Sequence, residues 1–430
     1  MGPKIALRSA KEEDTEMPDF MDTWLDEMTT SALREPAKKL ACILAVASYA
    51  QYQKRRFWYL NPNGVKERLP HTKVLSISCI LTGRPGSYKS ETVRMVRRVL
   101  DETKQVNVYP HDQVSREYLV TTLAAMQSAQ VKATEIYDSN TKTIKIPKNP
   151  PPITCTICIE ELINFLNRRE YVEPLVGALN TLLDQPPSYG AGTQRRQSEI
   201  IHRPIINFIG ACAPSWFHQL PESLFTGGFA GRCLFYTVPY PRDEDRQPRG
   251  QICKDGGEER LAHLLTHGGI PDGDITLDNP TIRIHDRMEA EWGRELAHAI
   301  PVLDEWYKRR AIQTTRLAGA IALAHCSDTV QLEYWDEAHT IMQEVEKTLE
   351  EIWFETAGSQ EVQYNAFRLD VGDKLHAWQE LEAKAVRHFR SVRVAQSSLD
   401  WWRENDILTP QPGGLWKFKT SVPAEISGGA

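Results

Sequence analysis

The chain has 430 residues, enough for two or three domains with cores of their own. It carries 51 Lys and Arg against 57 Asp and Glu, a net charge of −6, so it is no general polyanion binder and nucleic-acid contact would need local basic patches. No apolar run approaches membrane-spanning length and Met1-Gly2-Pro3-Lys4 opens no apolar signal core, so no membrane partner, a cytoplasmic location and reduced thiols are expected.

Residues 1–17 are charged and poor in large apolar groups, the composition of a disordered tail. Residues 18–70 read as an N-terminal helical domain, with Leu40, Ile43, Leu44, Ala47 and Ala50 on one helix face. Residues 71–242 carry the core. Its first strand candidate, 74–82, runs into Gly83-Arg84-Pro85-Gly86-Ser87-Tyr88-Lys89-Ser90 and then a helix, the layout of a phosphate-binding loop. In such a loop backbone N–H groups wrap the phosphates, the lysine (Lys89) reaches the β/γ-phosphates and the hydroxyl (Ser90) ligates magnesium. The pattern wants glycine where Tyr88 stands, and taken alone the octapeptide reads equally as a tight turn with a surface lysine.

Ile136 to Ile146 has the pattern of an inserted hairpin. The next strand candidate, 153–159, follows Pro150-Pro151-Pro152 and ends in Glu160-Glu161. Magnesium-dependent ATP hydrolysis needs one carboxylate for the metal and one to activate water, roles suited to Glu160 and Glu161 respectively. The plainer reading is that both acids open the helix Leu162–Arg168, where they suit its dipole. Cys155 and Cys158 lack a second Cys or His pair and read as small apolar fillers. After the strand 205–211, the segment Gly227-Gly228-Phe229-Ala230-Gly231-Arg232 leads into the strand 232–238. Arg232 is placed to reach a γ-phosphate, that of a neighbouring subunit, as an arginine finger; otherwise it is a surface arginine beside a core strand. With a further candidate at 106–109, these strands and the helices between them predict a largely parallel sheet in an α/β sandwich.

Residues 243–360 pass from a polar Pro/Gly/Asp-rich linker into helices, one over Ile312–Cys326 and one with Tyr334, Ala338, Ile341, Val345, Leu349 and Ile352 on its buried face. Residues 361–430 read as helix, helix and β-hairpin, a winged-helix-like module. Its basic residues Arg387, Arg390, Arg393, Arg403, Lys417 and Lys419 suit a phosphate backbone, whereas Asp400, Glu404 and Asp406 dilute that charge, so DNA-binding and protein-docking roles stay open.

The order of phosphate loop, acidic strand, sensor strand and arginine strand resembles the AAA+ ATPases. More narrowly, Cys212-Ala213-Pro214-Ser215-Trp216 and Gly227-Gly228-Phe229-Ala230-Gly231-Arg232 resemble segments of phage- and plasmid-encoded ATPases associated with replicative helicase and primase modules, over about residues 40 to 355. The resemblance implies a P-loop NTPase core that takes ATP and magnesium, with a helical lid similar in layout to minichromosome-maintenance helicases. It implies a lid arginine reaching the nucleotide, Arg316 first and Arg310 next, against a solvated lid arginine. It also implies a polar sensor, where this chain has Cys212 and Ala213, with Ser215 the nearest hydroxyl and Asn207 further back. In related hexameric helicases a basic hairpin enters the central channel. Here Arg195 and Arg196, with Arg168 and Arg169 beside them, would track single-stranded DNA without reading bases, or else sit on a surface loop.

The expected function is that of an ATP-hydrolysing homo-oligomeric DNA motor, a hexameric replicative-type helicase of a phage or mobile element, working in the host cytoplasm with a primase or other replication partner. The alternative is a nucleotide-gated adaptor or loader ATPase that recruits a replication or transposition partner with little motor activity. Tyr88 and the sensor departures would then mark slow hydrolysis.

Overall fold

The computed structural model describes residues 19–29, 33–61, 63–69, 74–111, 115–133, 136–138, 143–145, 150–166, 169–193, 196–214, 217, 228–241, 253–267, 270–295, 304–356, 367, 371, 374–389, 399–400, 402–403 and 408–418. The chain divides into two compact units, Met1–Leu349 and Glu350–Ala430.

In the first unit, helices α1 (Phe20–Glu27) and α2 (Glu35–Tyr52) precede strands β1 (Phe57–Leu60), β2 (Lys66–Arg68) and β3 (Ser78–Thr82), then α3 (Lys89–Glu102) and α4 (Arg116–Ala133). A hairpin of β4 (Ile136–Asp138) and β5 (Thr143–Lys145) comes before β6 (Thr154–Ile159), as its sequence predicts. There follow α5 (Leu162–Leu166), α6 (Arg169–Leu183), the hairpin β7 (Ser188–Thr193) and β8 (Arg196–His202), β9 (Ile205–Cys212) and β10 (Cys233–Thr237). The remainder comprises α7 (Gly257–His267), β11 (Ile275–Leu277), α8 (Asn279–Glu295), α9 (Asp304–Ala324), β12 (Thr329–Val330) and α10 (Leu332–Thr356), the last of which continues past Leu349 into the second unit.

The central sheet has the order β10-β3-β9-β6, and every pair is parallel. All of β3, β6 and β9 is buried, which accounts for their nearly continuous apolar or small sequences. The candidate strand 106–109 is present only as a parallel bridge, Val108 to Thr156, on the free side of β6. Side chains alternate across a strand, and β9 shows what covers each face. Asn207 meets Ser48 of α2, whereas Phe208 packs on Phe165 of α5, so helices cover both faces. Cys155 and Cys158 are three positions apart on β6 and therefore face opposite sides, both buried, which excludes a shared metal.

Helix α2 departs from the one-faced helix its spacing suggested. From Leu40 to Gln51 every residue is buried, because α1, α3, α9 and the strands β6 and β9 surround it. Residues 18–70, expected as a domain of their own, therefore belong to the first unit's core. They also supply β1 and β2 to a second sheet of order β12-β11-β1-β2, whose other strands come from residues 275–330. Gly319 of α9 crosses β1 so closely that a Cβ there would lie 2.5 Å from a ring carbon of Phe57. On α10 the buried seam is Trp335, Ala338, Met342, Val345, Leu349 and Ile352, so Trp335 and Met342 take the places expected for Tyr334 and Ile341.

In the second unit β13 (His376–Ala377), β15 (Leu415–Phe418) and β14 (Leu408–Gln411) form an antiparallel sheet beside α11 (Trp378–Phe389). Phe367, Leu381, Trp402 and Phe418 lie in its core. The hairpin turns through Gly413 and Gly414, both at positive φ. Arg390, Arg393, Glu404, Asp406 and Lys419 lie outside the described residues. No described helix is long and apolar enough to cross a membrane.

A buried polar network fixes the sheet on α2. Asn207 Oδ1 accepts the Ile77 N–H at 2.9 Å and its Nδ2 donates to Ser48 Oγ at 3.2 Å. Ser48 donates onward to the Leu44 carbonyl, and Gln51 Nε2 donates to the carbonyls of Cys155 and Ile205. Asn207→Leu would strand the Ile77 N–H in a dry interior, at a cost of about 1–3 kcal/mol for an unsatisfied buried donor. A urea titration should show the first unit's transition lowered by that order, and an unchanged midpoint would remove Asn207 from the framework.

Candidate functional site

Strand β3 delivers the chain into residues 83–88, and the backbone there is held in an unusual shape. Gly83 has φ 151°, and a Cβ on it would meet Ser87 Oγ at 2.6 Å and the Val238 carbonyl at 3.0 Å. Gly86 has φ 82° and Tyr88 has φ 62°, ψ 18°. Tyr88 thus adopts the left-handed conformation for which the pattern calls for glycine, at a cost of roughly 1–2 kcal/mol. It is the N-cap of α3, so the free N–H groups of the helix start face the loop. Lys89 folds back over the loop, with Nζ 3.5 Å from the Arg84 carbonyl. Burial lowers its pKa, while Cys212 and Glu161 pull it upward.

The acidic strand closes on the loop from one strand away. Ser90 Oγ donates to the Glu160 carbonyl at 3.0 Å. The Glu160 carboxylate is gripped by Arg94, whose Nε lies 3.1 Å away and whose Nη2 is closer still, and Arg94 also reaches Glu91. Glu161 is exposed, accepts from Asn164 Nδ2 at 3.1 Å, and is the acid whose charge Lys89 feels. Between the two strands, Cys212 at the end of β9 pairs in register with Thr82. Burial pushes its thiol up to about 12, with Lys89 opposing, so the sensor position holds a neutral thiol. Asn207 is no sensor, because its amide is spent on Ile77 and Ser48 within the core. Ser215 and Trp216 lie outside the described residues.

Arg232 is at the other end of the sheet. Strand β10 starts level with Ser78, which puts Arg232 level with Ile77 and roughly 20 Å from the start of the loop of its own chain at ~3.3 Å per strand residue. Its guanidinium grips Asp184 on both oxygens and donates to the Gly228 carbonyl at 2.6 Å. Arg309 meets the same Asp184 at 3.1 Å. Desolvation raises the Asp184 pKa but the two arginines outweigh it, so the net shift is downward.

Arg316, expected to reach the nucleotide, lines a cleft of about 600 Å³ with Arg232, Ser76 and Ser78, at the end of the sheet away from the loop of its own chain. Helix α9 passes the start of β3 and β10, so this side chain is directed away from the loop. Arg310 is buried in an ion pair with Glu346 at 2.8 Å, which takes it out of both sites. Arg196 opens β8 opposite Thr193, whereas Arg168 and Arg195 lie outside the described residues.

Sequence reasoning missed Asp184, Arg309 and Arg94. Only Arg94 carried a local signal, its spacing of three from Glu91 on a helix.

The strain at residue 88 is directly measurable. Tyr88→Gly should change stability by less than about 1 kcal/mol, whereas Tyr88→Val, β-branched at positive φ, should cost about 1–2 kcal/mol. Equal urea midpoints for the Tyr, Gly and Val proteins would mean that the loop is not left-handed there. In comparisons with known proteins, no protein-family model matches the chain and no curated protein matches it.

Proposed function

We propose that this chain is an AAA+-like ATPase that hydrolyses ATP with magnesium and acts on DNA, as a replicative-type helicase of a phage or mobile element. The observation that carries the reading is the closure of the left-handed loop onto the acidic strand, with Ser90 bonded to the end of β6 and Lys89 folded back over the loop, where the Glu161 charge reaches it. The parallel order β10-β3-β9-β6, with one strand between the loop and the acids, supports it. Backbone N–H groups of the loop and the start of α3 would cradle the phosphates, with Lys89 as the mobile cation. Ser90 and Glu160 would hold magnesium, which supplies charge neutralisation at the phosphates. Glu161, the exposed acid, would orient and deprotonate the attacking water.

Arg232 is too far from its own loop to serve it, which favours a site shared between copies in a ring, taken as hexameric. Residues 304–356 would be the lid and the second unit a winged-helix-like module for DNA or a primase-type partner. The hairpin carrying Arg195 and Arg196 would follow single-stranded DNA. Two observations favour the second reading, a nucleotide-gated adaptor or loader with slow turnover: Arg94 already occupies Glu160, and the sensor position is a neutral thiol. ATP turnover measured with and without single-stranded DNA separates the two, since stimulation belongs to the motor alone.

Lys89→Ala should abolish ATP binding; affinity kept within a few-fold would sink the loop as a phosphate cradle. Glu161→Gln should bind ATP and magnesium normally yet stop turnover, and Glu160→Gln should raise the magnesium concentration needed. Full turnover in Glu161→Gln would transfer the base role to Glu160.

Arg232→Ala should bind ATP almost normally and hydrolyse it orders of magnitude more slowly. Mixed with Lys89→Ala protein it should regain activity, because some interfaces then hold both intact halves. No recovery in mixtures that co-assemble would show that Arg232 does not act between copies.

A further inference from the structure

Among the described residues, the cleft at the N-terminal end of β3 is lined by one more cation than acids. Four basic side chains line it, Arg232, Lys308, Arg309 and Arg316. Of its three acids, Asp184 is shared by Arg232 and Arg309, Glu305 lies 3.6 Å from Lys308, and Glu289 is 3.8 Å from His285. Arg316 has no ion pair among the described residues, and its Nε is sealed from solvent without a hydrogen bond. Burial drives its pKa down to about 10, with Arg309 pushing the same way and Asp184 opposing. A guanidinium in that state is one partner short, since a desolvated cation is tolerated only when paired and hydrogen-bonded.

We propose that this cleft binds a phosphoryl group, held by Arg316 and Arg309, with Asp184 as the internal carboxylate that the group displaces. A carboxylate ligand would gain nothing by replacing Asp184, which is tethered in place and carries the same charge. A phosphoryl group brings a second charge and more acceptor oxygens, which suits two guanidinium forks. The volume of about 600 Å³ leaves room for a diphosphate. The group can come free in solution or on a nucleotide carried by a second copy of the chain, and the latter source rests on the ATPase reading above.

Two arms test the site on the full chain. In the first, calorimetry on the Lys89→Ala protein, whose loop is disabled, should detect pyrophosphate binding. Adding Arg316→Met should weaken that binding at least tenfold, and adding Asp184→Asn should tighten it several-fold. Arg316→Met removes a half-buried cation whose Nε has no partner, at similar volume, so its urea midpoint should be unchanged or raised, which separates lost binding from lost fold. In the second arm, sedimentation of protein with an intact loop should show self-association driven by an ATP analogue. Arg316→Met should weaken that association at least tenfold while the dilute protomer binds the analogue as before.

A response to Arg316→Met in the first arm assigns the cleft to free anions, and a response in the second alone assigns it to a second copy's nucleotide. The proposal is overturned if neither arm responds to Arg316→Met, or if Asp184→Asn weakens pyrophosphate binding. If the intact protein binds no ATP analogue while the first arm holds, the ATPase reading falls and the anion site stands.

Discussion

The insertion of β9 between β3 and β6, parallel to both, is the constraint on which the rest of the molecule depends. Parallel strands end together. The loop after β3, Cys212 at the end of β9 and Glu160 after β6 therefore share one edge of the sheet, although they are far apart in the chain. The same register sends whatever precedes β10 to the opposite edge, and that residue is Arg232. The register is itself held by buried amides: Asn207 accepts from the Ile77 N–H just before β3, and Gln51 reaches carbonyls of β6 and β9. These bonds are in a dry interior, where a one-residue slip would leave several polar groups unsatisfied.

The two edges differ in how their charges are balanced. At the loop edge Glu160 is satisfied by Arg94, so the remaining exposed acid, Glu161, is the one that answers Lys89. Arg94 stands one helical turn beyond Ser90 and crosses to the acidic strand, so it ties α3 to β6 as well as neutralising Glu160. At the far edge one carboxylate, Asp184, serves two arginines, and a third, Arg316, has no ion pair among the described residues. The first edge is arranged around a cationic side chain and free N–H groups, the second around guanidinium groups, and both are suited to anions.

Local backbone geometry adds a second constraint. The loop is tight at Gly83, where any side chain would strike Ser87 and the residue after β10, so the start of the loop is packed against the neighbouring strand's exit. Tyr88 takes the left-handed turn at an energetic cost that glycine would not carry. Strain of that size persists only where surrounding structure over-determines it, and here β3 on one side and α3 on the other do so.

Much of this was legible in the chain itself. The buried strands of the central sheet, the loop behind β3, the acids behind β6 and the hairpins at 136–145 and 408–418 follow from periodicity, punctuation by Gly and Pro, and turn chemistry, all of which act over a few residues. Tertiary structure alone decided that α2 is buried on every side, that Trp335 and Met342 face inward, and that residues 18–70 complete the core of the first unit. It also decided the ion pairs. Arg94 and Glu160 are 66 residues apart and Arg232 and Asp184 48, and no local pattern links them. Arg316 has the sequence surroundings of any helix arginine, and its place at the far edge was set by where α9 crosses the sheet. A sequence fixes which residues each segment buries over short distances, whereas pairing between segments depends on strand order and helix crossing, which only the assembled packing determines.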